Sequence, residues 1–182
     1  SGANLEVKPQ HLLEFAKMGS NFANDSLGID KPRIGLLNNG EESTKGRTVE
    51  KKTYDLLSKS ELNFIGNVEG RDFSRDTADV FITDGFTGNI ALKTAEGTAT
   101  FITDGLKKSL NKLSVLLSYK SLKKFKEKLD PRKYNGAIFL GLQSPVVKSH
   151  GSTDSIGLAH SINVCNKIVK ANLIEKIKSN LI

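Results

Sequence analysis

The chain has 182 residues, room for one ordinary domain, and its 37% hydrophobic and 26% charged residues are enough for a core without staples. A single cysteine, Cys165, excludes an internal disulfide framework and a multi-cysteine zinc site, and it fits a reducing cytosol. The net charge of +7 is concentrated in residues 107–133, which hold ten basic and two acidic residues, so the remainder is close to neutral and a general polyanion binder is not expected.

Residues 9–27 place Leu12, Phe15, Ala16, Gly19, Phe22 and Ala23 on one helical face. Pro32 breaks the chain. Ile34–Leu37 reads as a short apolar strand running into the polar loop Asn38-Asn39-Gly40-Glu41-Glu42. A second helix starts near Thr48, with Val49, Thr53, Leu56 and Leu57 inward. Leu62–Ile65 is the next expected strand, ended by Gly66-Asn67, and Ala78–Thr83 another, ended by Asp84-Gly85. Short apolar strands alternating with amphipathic helices predict βαβ units, a mostly parallel covered sheet and an α/β/α sandwich.

From Asp84 a helical pattern continues to about Leu129, where Asp130-Pro131 stops it. Ala137–Leu142 and Val146–Lys148 predict an antiparallel return around Gln143-Ser144-Pro145. A last helix from about Thr153 carries Leu158, Ile162, Cys165, Val169 and Leu173 on one face. Within 106–133, Leu106, Leu110, Leu113 and Leu117 recur at helical spacing. Leu122, Phe125 and Leu129 follow after a polar break, with lysines on the other faces. That is the composition of an amphipathic, basic helical protrusion suited to an anionic membrane surface or an acidic protein. The same leucines also fit a core or a subunit interface. No apolar run approaches the ~18 residues of a spanning helix, and Ser1–Gln10 lacks the features of a signal peptide.

Ligands of open parallel sheets bind beyond the carboxyl ends of strands. Three such ends carry polar, glycine-bearing turns: Leu37–Glu42, Thr83–Asn89 and Lys148–Asp154. Two of them open helices, whose free N–H groups suit phosphate. Each turn alone also fits a plain strand-to-helix connection or an N-cap. No nucleotide-binding loop, nucleophile elbow or zinc-spaced histidine pair is present. Cys165 reads as inert core and His160 as a satisfied helical residue. His150, at a strand end beside Gly151 and Ser152, is placed to donate to an oxyanion or phosphate oxygen.

The stretch Gly35–Glu42 with Lys45-Gly46 resembles the phosphate acyltransferase family, PlsX, of bacterial phospholipid synthesis. So do Asn63–Asp72, Ala78-Asp79-Val80 and Asp84-Gly85-Phe86-Thr87-Gly88-Asn89 with Leu92-Lys93-Thr94 and Glu96-Gly97. Tyr134–Ala137 and Lys148–Ser152 continue the likeness, which runs in family order over most of the chain. The family's opening motifs are absent and Gly2-Ala3-Asn4 is similar to its mid-chain motif. The resemblance therefore implies that residues 1–182 are the C-terminal portion of such an enzyme. It further implies a fold like the isocitrate dehydrogenases and phosphotransacetylases, a homodimer, and transfer of a fatty acyl group from acyl carrier protein to inorganic phosphate. No metal, nucleotide or other cofactor and no nucleic acid is expected, and the place of action is cytoplasmic with peripheral membrane attachment.

Within that reading Lys45 neutralises charge, and His150 is the acid or oxyanion donor with Asp84 as its partner. Asn38 and Asn89 hydrogen-bond phosphate or the carbonyl. Gly85, Thr87, Gly88, Gly151 and Ser152 contribute to holding phosphate. Leu113, Leu117, Lys120, Lys123 and Lys124 would meet membrane or carrier protein. Two other functions fit the same residues: a short-chain phosphotransacetylase using coenzyme A thioesters, and an inactive fragment that only binds an anionic surface or acidic carrier.

Overall fold

The structure, a computed structural model, describes residues 4–111, 118–120, 122–123, 137–149 and 153–181. Helix α1 (Pro9–Leu27) starts on a proline, whose missing N–H costs nothing at that position. It ends at Gly28, whose φ of 72° closes a left-handed cap with the Gly28 amide on Asn24 O (3.1 Å) and the Ile29 amide on Ala23 O (3.1 Å). Strands β1 (Ile34–Leu37), β2 (Phe64–Val68) and β3 (Val80–Ile82) form a parallel sheet in the order β2-β1-β3. Helix α2 (Thr48–Ser58) links β1 to β2.

Leu12 and Ala16 of α1, Leu57 of α2, Ile34 and Leu36 of β1 and Ile82 of β3 make one core, so both helices cover the same sheet face. On the other side of β1, Gly35 lies so near Val68 that a Cβ there would sit 2.7 Å from the valine methyls. Phe81 packs at a tilt against Phe73 of a short 3-10 turn, Gly70–Ser74, with centroids 4.7 Å apart and the rings inclined at 55°. At the amino ends of β1 and β3, Arg33 grips Asp79: its amide (2.7 Å) and Nε (3.0 Å) donate to Oδ2, and an Nη (2.9 Å) to Oδ1. The pair ties the two strands at the end away from the turns that carry the candidate residues.

Helix α3 (Gly85–Ser109) follows β3, and a two-stranded antiparallel unit joins β4 (Ala137–Phe139) and β5 (Val146–Lys148). Helices α4 (Ser155–Lys170) and α5 (Leu173–Leu181) close the chain. Met18 of α1 meets Ile168, Leu173 and Ile177 in a second core, where Lys176 pairs with Asp25 at 2.7 Å. Helix α1 thus belongs to both cores. The mixed α/β architecture with a parallel sheet is the one expected.

Several boundaries differ from expectation. β2 runs past Gly66-Asn67 instead of stopping there. Gly66 takes a φ of 99° beside a register shift opposite Ile34 and Gly35, and this carries the strand on to Val68. α3 stops at Ser109, and Leu110 is extended. Ser109 and Asn111 flank that point, residue types that compete with helical backbone bonding. The helix expected to run from about Thr153 as one piece is broken at Ala171-Asn172, with Asn172 at φ 49°.

Of the face read on the last helix, Leu173 is buried and Cys165 half-buried, but the other three positions are not. Leu158, Ile162 and Val169 are exposed, while Gly157, Ser161 and Ile168 are buried. Ile168 packs with Met18, Leu173 and Ile177 in the second core, so the elements facing α4 set its buried side. No helix of the described residues is long and apolar enough to cross a membrane. Of the protrusion, Lys120 and Lys123 are exposed, whereas Leu113, Leu117 and Lys124 lie outside the described residues.

Candidate active site

The turns at the carboxyl ends of β1, β2 and β3 come together. After β1, the Asn38 amide donates to Val68 O at 2.8 Å, extending the ladder by one residue. The loop then folds on itself. Asn38 Nδ2 donates to Lys45 O (3.2 Å), Asn38 Oδ1 accepts from the Asn39 amide (2.8 Å), and the Lys45 amide donates to Glu42 O (3.0 Å). Gly46, at φ 89°, allows the return, because a Cβ there would lie 2.6 Å from Asn38 Oδ1. Asn67, buried on β2, donates through Nδ2 to Glu42 O at 2.8 Å and fixes the loop from below.

Asp84 sits at the end of β3 and caps α3. Its Oδ1 accepts from the Thr87 amide (2.6 Å) and its Oδ2 from the Thr87 hydroxyl (3.1 Å) and the Arg47 guanidinium. Arg47 also donates through Nε to Glu50 (3.0 Å) and forms an ion pair with it. Glu50 in turn accepts from the Arg47 amide at 2.8 Å and caps α2. Asp84 is 3% exposed and Glu50 7%, so one guanidinium joins two buried carboxylates on neighbouring elements. Burial pushes the Asp84 carboxyl up, but Arg47, the Thr87 amide and the Thr87 hydroxyl together hold it below its ordinary value.

The expected catalytic and phosphate-binding residues fall into two groups. Asn38, Lys45, Asp84, Gly85, Thr87, Gly88 and Asn89 lie on the turns that open at this end of the sheet; Lys45 and Asn89 are exposed there. His150, Gly151 and Ser152 lie outside the described residues. The amides expected to hold an anion are bonded within the fold: Gly85 to Asn4 O (2.8 Å), Thr87 to Asp84 Oδ1, and Gly88 to Asp84 O (3.0 Å). At α4 the Gly157 amide likewise donates to its own cap, Asp154 Oδ1, at 2.9 Å. The starts of α2, α3 and α4 thus each carry a protein carboxylate, and at α3 it occupies amides that were expected to hold an external anion.

Arg47, Glu50 and Asn67 were not singled out from the sequence. Glu50 was legible as the acidic third residue of a helix. Arg47 reaching Asp84, 37 positions away, was not. Among the described residues no three His, Cys, Asp or Glu side chains converge to hold a metal ion. A cavity of about 220 Å³ between the β4–β5 unit and α4–α5 is lined by Ile138, Leu140, Leu142, Ile174 and Ile177 among others, and by none of the candidate residues.

A family described as fatty acid synthesis proteins matches residues 1–176. The chain is 50% identical to the phosphate acyltransferase of Pelagibacter ubique, over 99% of this chain and 56% of that protein. It is 45% identical to the phosphate acyltransferase of Thermotoga maritima, over 100% of this chain and 57% of that one. The counterpart from Anoxybacillus flavithermus is 43% identical over 99% of this chain. The chain spans a little over half the length of these relatives. With the motifs of Gly35–Lys45 and Asp84–Asn89 gathered at one end of a parallel sheet, and with a family match from end to end of the fold, the chain belongs to the fatty acid synthesis protein family, the PlsX family that its sequence resembles.

Proposed function

We propose that this chain forms part of a phosphate acyltransferase that moves a fatty acyl group from acyl carrier protein to inorganic phosphate, giving acyl phosphate for phospholipid synthesis. The observation that carries the reading is the 50% identity to a phosphate acyltransferase over 99% of the chain. A phosphate oxygen attacks the thioester carbonyl, a C–O bond forms, the C–S bond breaks, and the thiolate leaves and takes a proton. Phosphate is itself the nucleophile, so the protein has to orient it and stabilise the tetrahedral oxyanion.

Side chains rather than helix amides carry the anion in this scheme. Lys45 is exposed on the loop after β1 and has no ion-pair partner among the described residues, so its ammonium is free to neutralise phosphate. Asn38 is committed to its own loop and shapes it, while Asn89 stays available at the opening turns of α3. His150 is the proposed acid or oxyanion donor. The basic segment 107–133 is proposed to bring the protein, as a homodimer, to an anionic membrane or to the acidic carrier.

The test uses a full-length protein carrying this chain. Acyl phosphate, trapped with hydroxylamine, should form from acyl carrier protein thioester and phosphate. Lys45→Met should raise KM for phosphate, and His150→Ala should lower turnover by roughly 10²-fold. Preference for acetyl-coenzyme A would instead identify a phosphotransacetylase. Binding of carrier or vesicles with no turnover at all would leave a binding module.

A further inference from the structure

We propose that Arg47 is a positioning residue of this site: by bridging Glu50 and Asp84 it locks the loop after β1 to the start of α3. The proposal rests on the acyl-transfer reading for its kinetic consequence, and on geometry for the lock itself.

Two carboxylates, each more than nine-tenths buried, lie on either side of one guanidinium. Glu50 belongs to α2 and Asp84 to the β3–α3 turn, so the bridge joins two segments that no backbone ladder connects. The groups meeting Asp84 are Arg47 from the loop side and the amide and hydroxyl of Thr87 from α3. Those meeting Glu50 are the amide and guanidinium of Arg47.

Arg47 is itself no ready phosphate ligand, because the two carboxylates outnumber its charge. Lys45 is two residues earlier, and Gly46 between them packs against Asn38. A shift of Arg47 therefore carries Lys45 and Asn38 away from Thr87–Asn89, the two sides between which phosphate and thioester would have to meet. A planar fork spans two carboxylates where a lysine ammonium offers one compact charge. The Arg47 side chain is 61% exposed, so water can enter when it is replaced and the fold is expected to survive.

Without the guanidinium, burial of Asp84 is opposed by Thr87 alone. Asp84 then takes up a proton as pH falls through a range where the parent protein keeps it ionised.

The test is the rate of acyl phosphate formation by full-length Arg47→Met and Arg47→Lys, from mildly acidic to mildly alkaline pH. Arg47→Met should lower kcat on the order of 10²-fold and, because Lys45 moves with the loop, raise KM for phosphate as well. The loss should shrink as pH rises and Asp84 ionises, and Arg47→Lys should recover part of it. Unchanged kcat, a loss independent of pH, or a rise in KM for phosphate alone would overturn the proposal. Should the unmodified protein form no acyl phosphate, the acyl-transfer reading fails. The lock is then judged on the chain itself by NMR titration of the Asp84 carboxyl. A titration moved upward by Arg47→Met supports it, and an unmoved one refutes it.

Discussion

Replacing Asp79 by Asn preserves the shape of the grip at the foot of the sheet and removes its charge. Three donors of Arg33, the amide, Nε and one Nη, converge on this carboxylate at 2.7 to 3.0 Å. The side-chain bonds come first, then the backbone bond, and against the smaller cost of burial they lower its pKa from 3.8 to about 2. Such a shift corresponds to at most about 2.4 kcal/mol at neutral pH, at ~1.36 kcal/mol per pKa unit. Water at the rim of the pair screens it, so the expected loss is about 1 kcal/mol. The sign follows from the depressed folded pKa. The contribution is complete above the ordinary carboxylate pKa and disappears as pH falls from there through about 2. Urea unfolding of the chain and of Asp79→Asn at a series of pH values measures it, because the slope reports exposed surface and the midpoint the stability. Equal midpoints at neutral pH, or a gap that stays full in strong acid, would refute the reasoning.

Gly46→Ala should lose roughly 1–2 kcal/mol or more, because its φ of 89° disfavours a Cβ and that atom would meet Asn38 at 2.6 Å. Denaturant unfolding gives the loss, and a raised KM for phosphate in the full-length protein would show that the loop has moved with it. The basic segment is tested by vesicle co-sedimentation. Leu113→Glu with Leu117→Glu should abolish binding to anionic vesicles and leave transfer between soluble substrates intact. Binding that survives would remove these leucines from the attachment surface, and loss of transfer would make them structural.

The local elements were legible because their signals are local. The 3.6-residue recurrence of Leu12, Ala16 and Ala23, the proline before β1 and the apolar run Ile34–Leu37 each act over a few residues, and α1, β1 and α2 formed where that pattern placed them. Asp84 was legible as the residue between a strand and a helix, a position at which its carboxylate caps the helix in any fold.

Tertiary structure decided which surface each element buries and which distant side chains meet. Leu158, Ile162 and Val169 make the more apolar stripe of α4, yet the stripe of Gly157, Ser161 and Ile168 is buried, because Ile168 faces the core that α1 and α5 supply. The reach of Arg47 to Asp84 across 37 positions exists only once β1 and β3 lie side by side. That contact also changed the chemistry. Glycine and threonine after a strand signal free helix amides, but the carboxylates that fill the starts of α2, α3 and α4 come partly from the helices themselves, and Arg47, at the start of α2, pairs with two of them, one on its own helix and one across the sheet end. Periodicity reports how a segment divides its own apolar and polar faces; charge pairing and burial depend on what the rest of the chain brings against them.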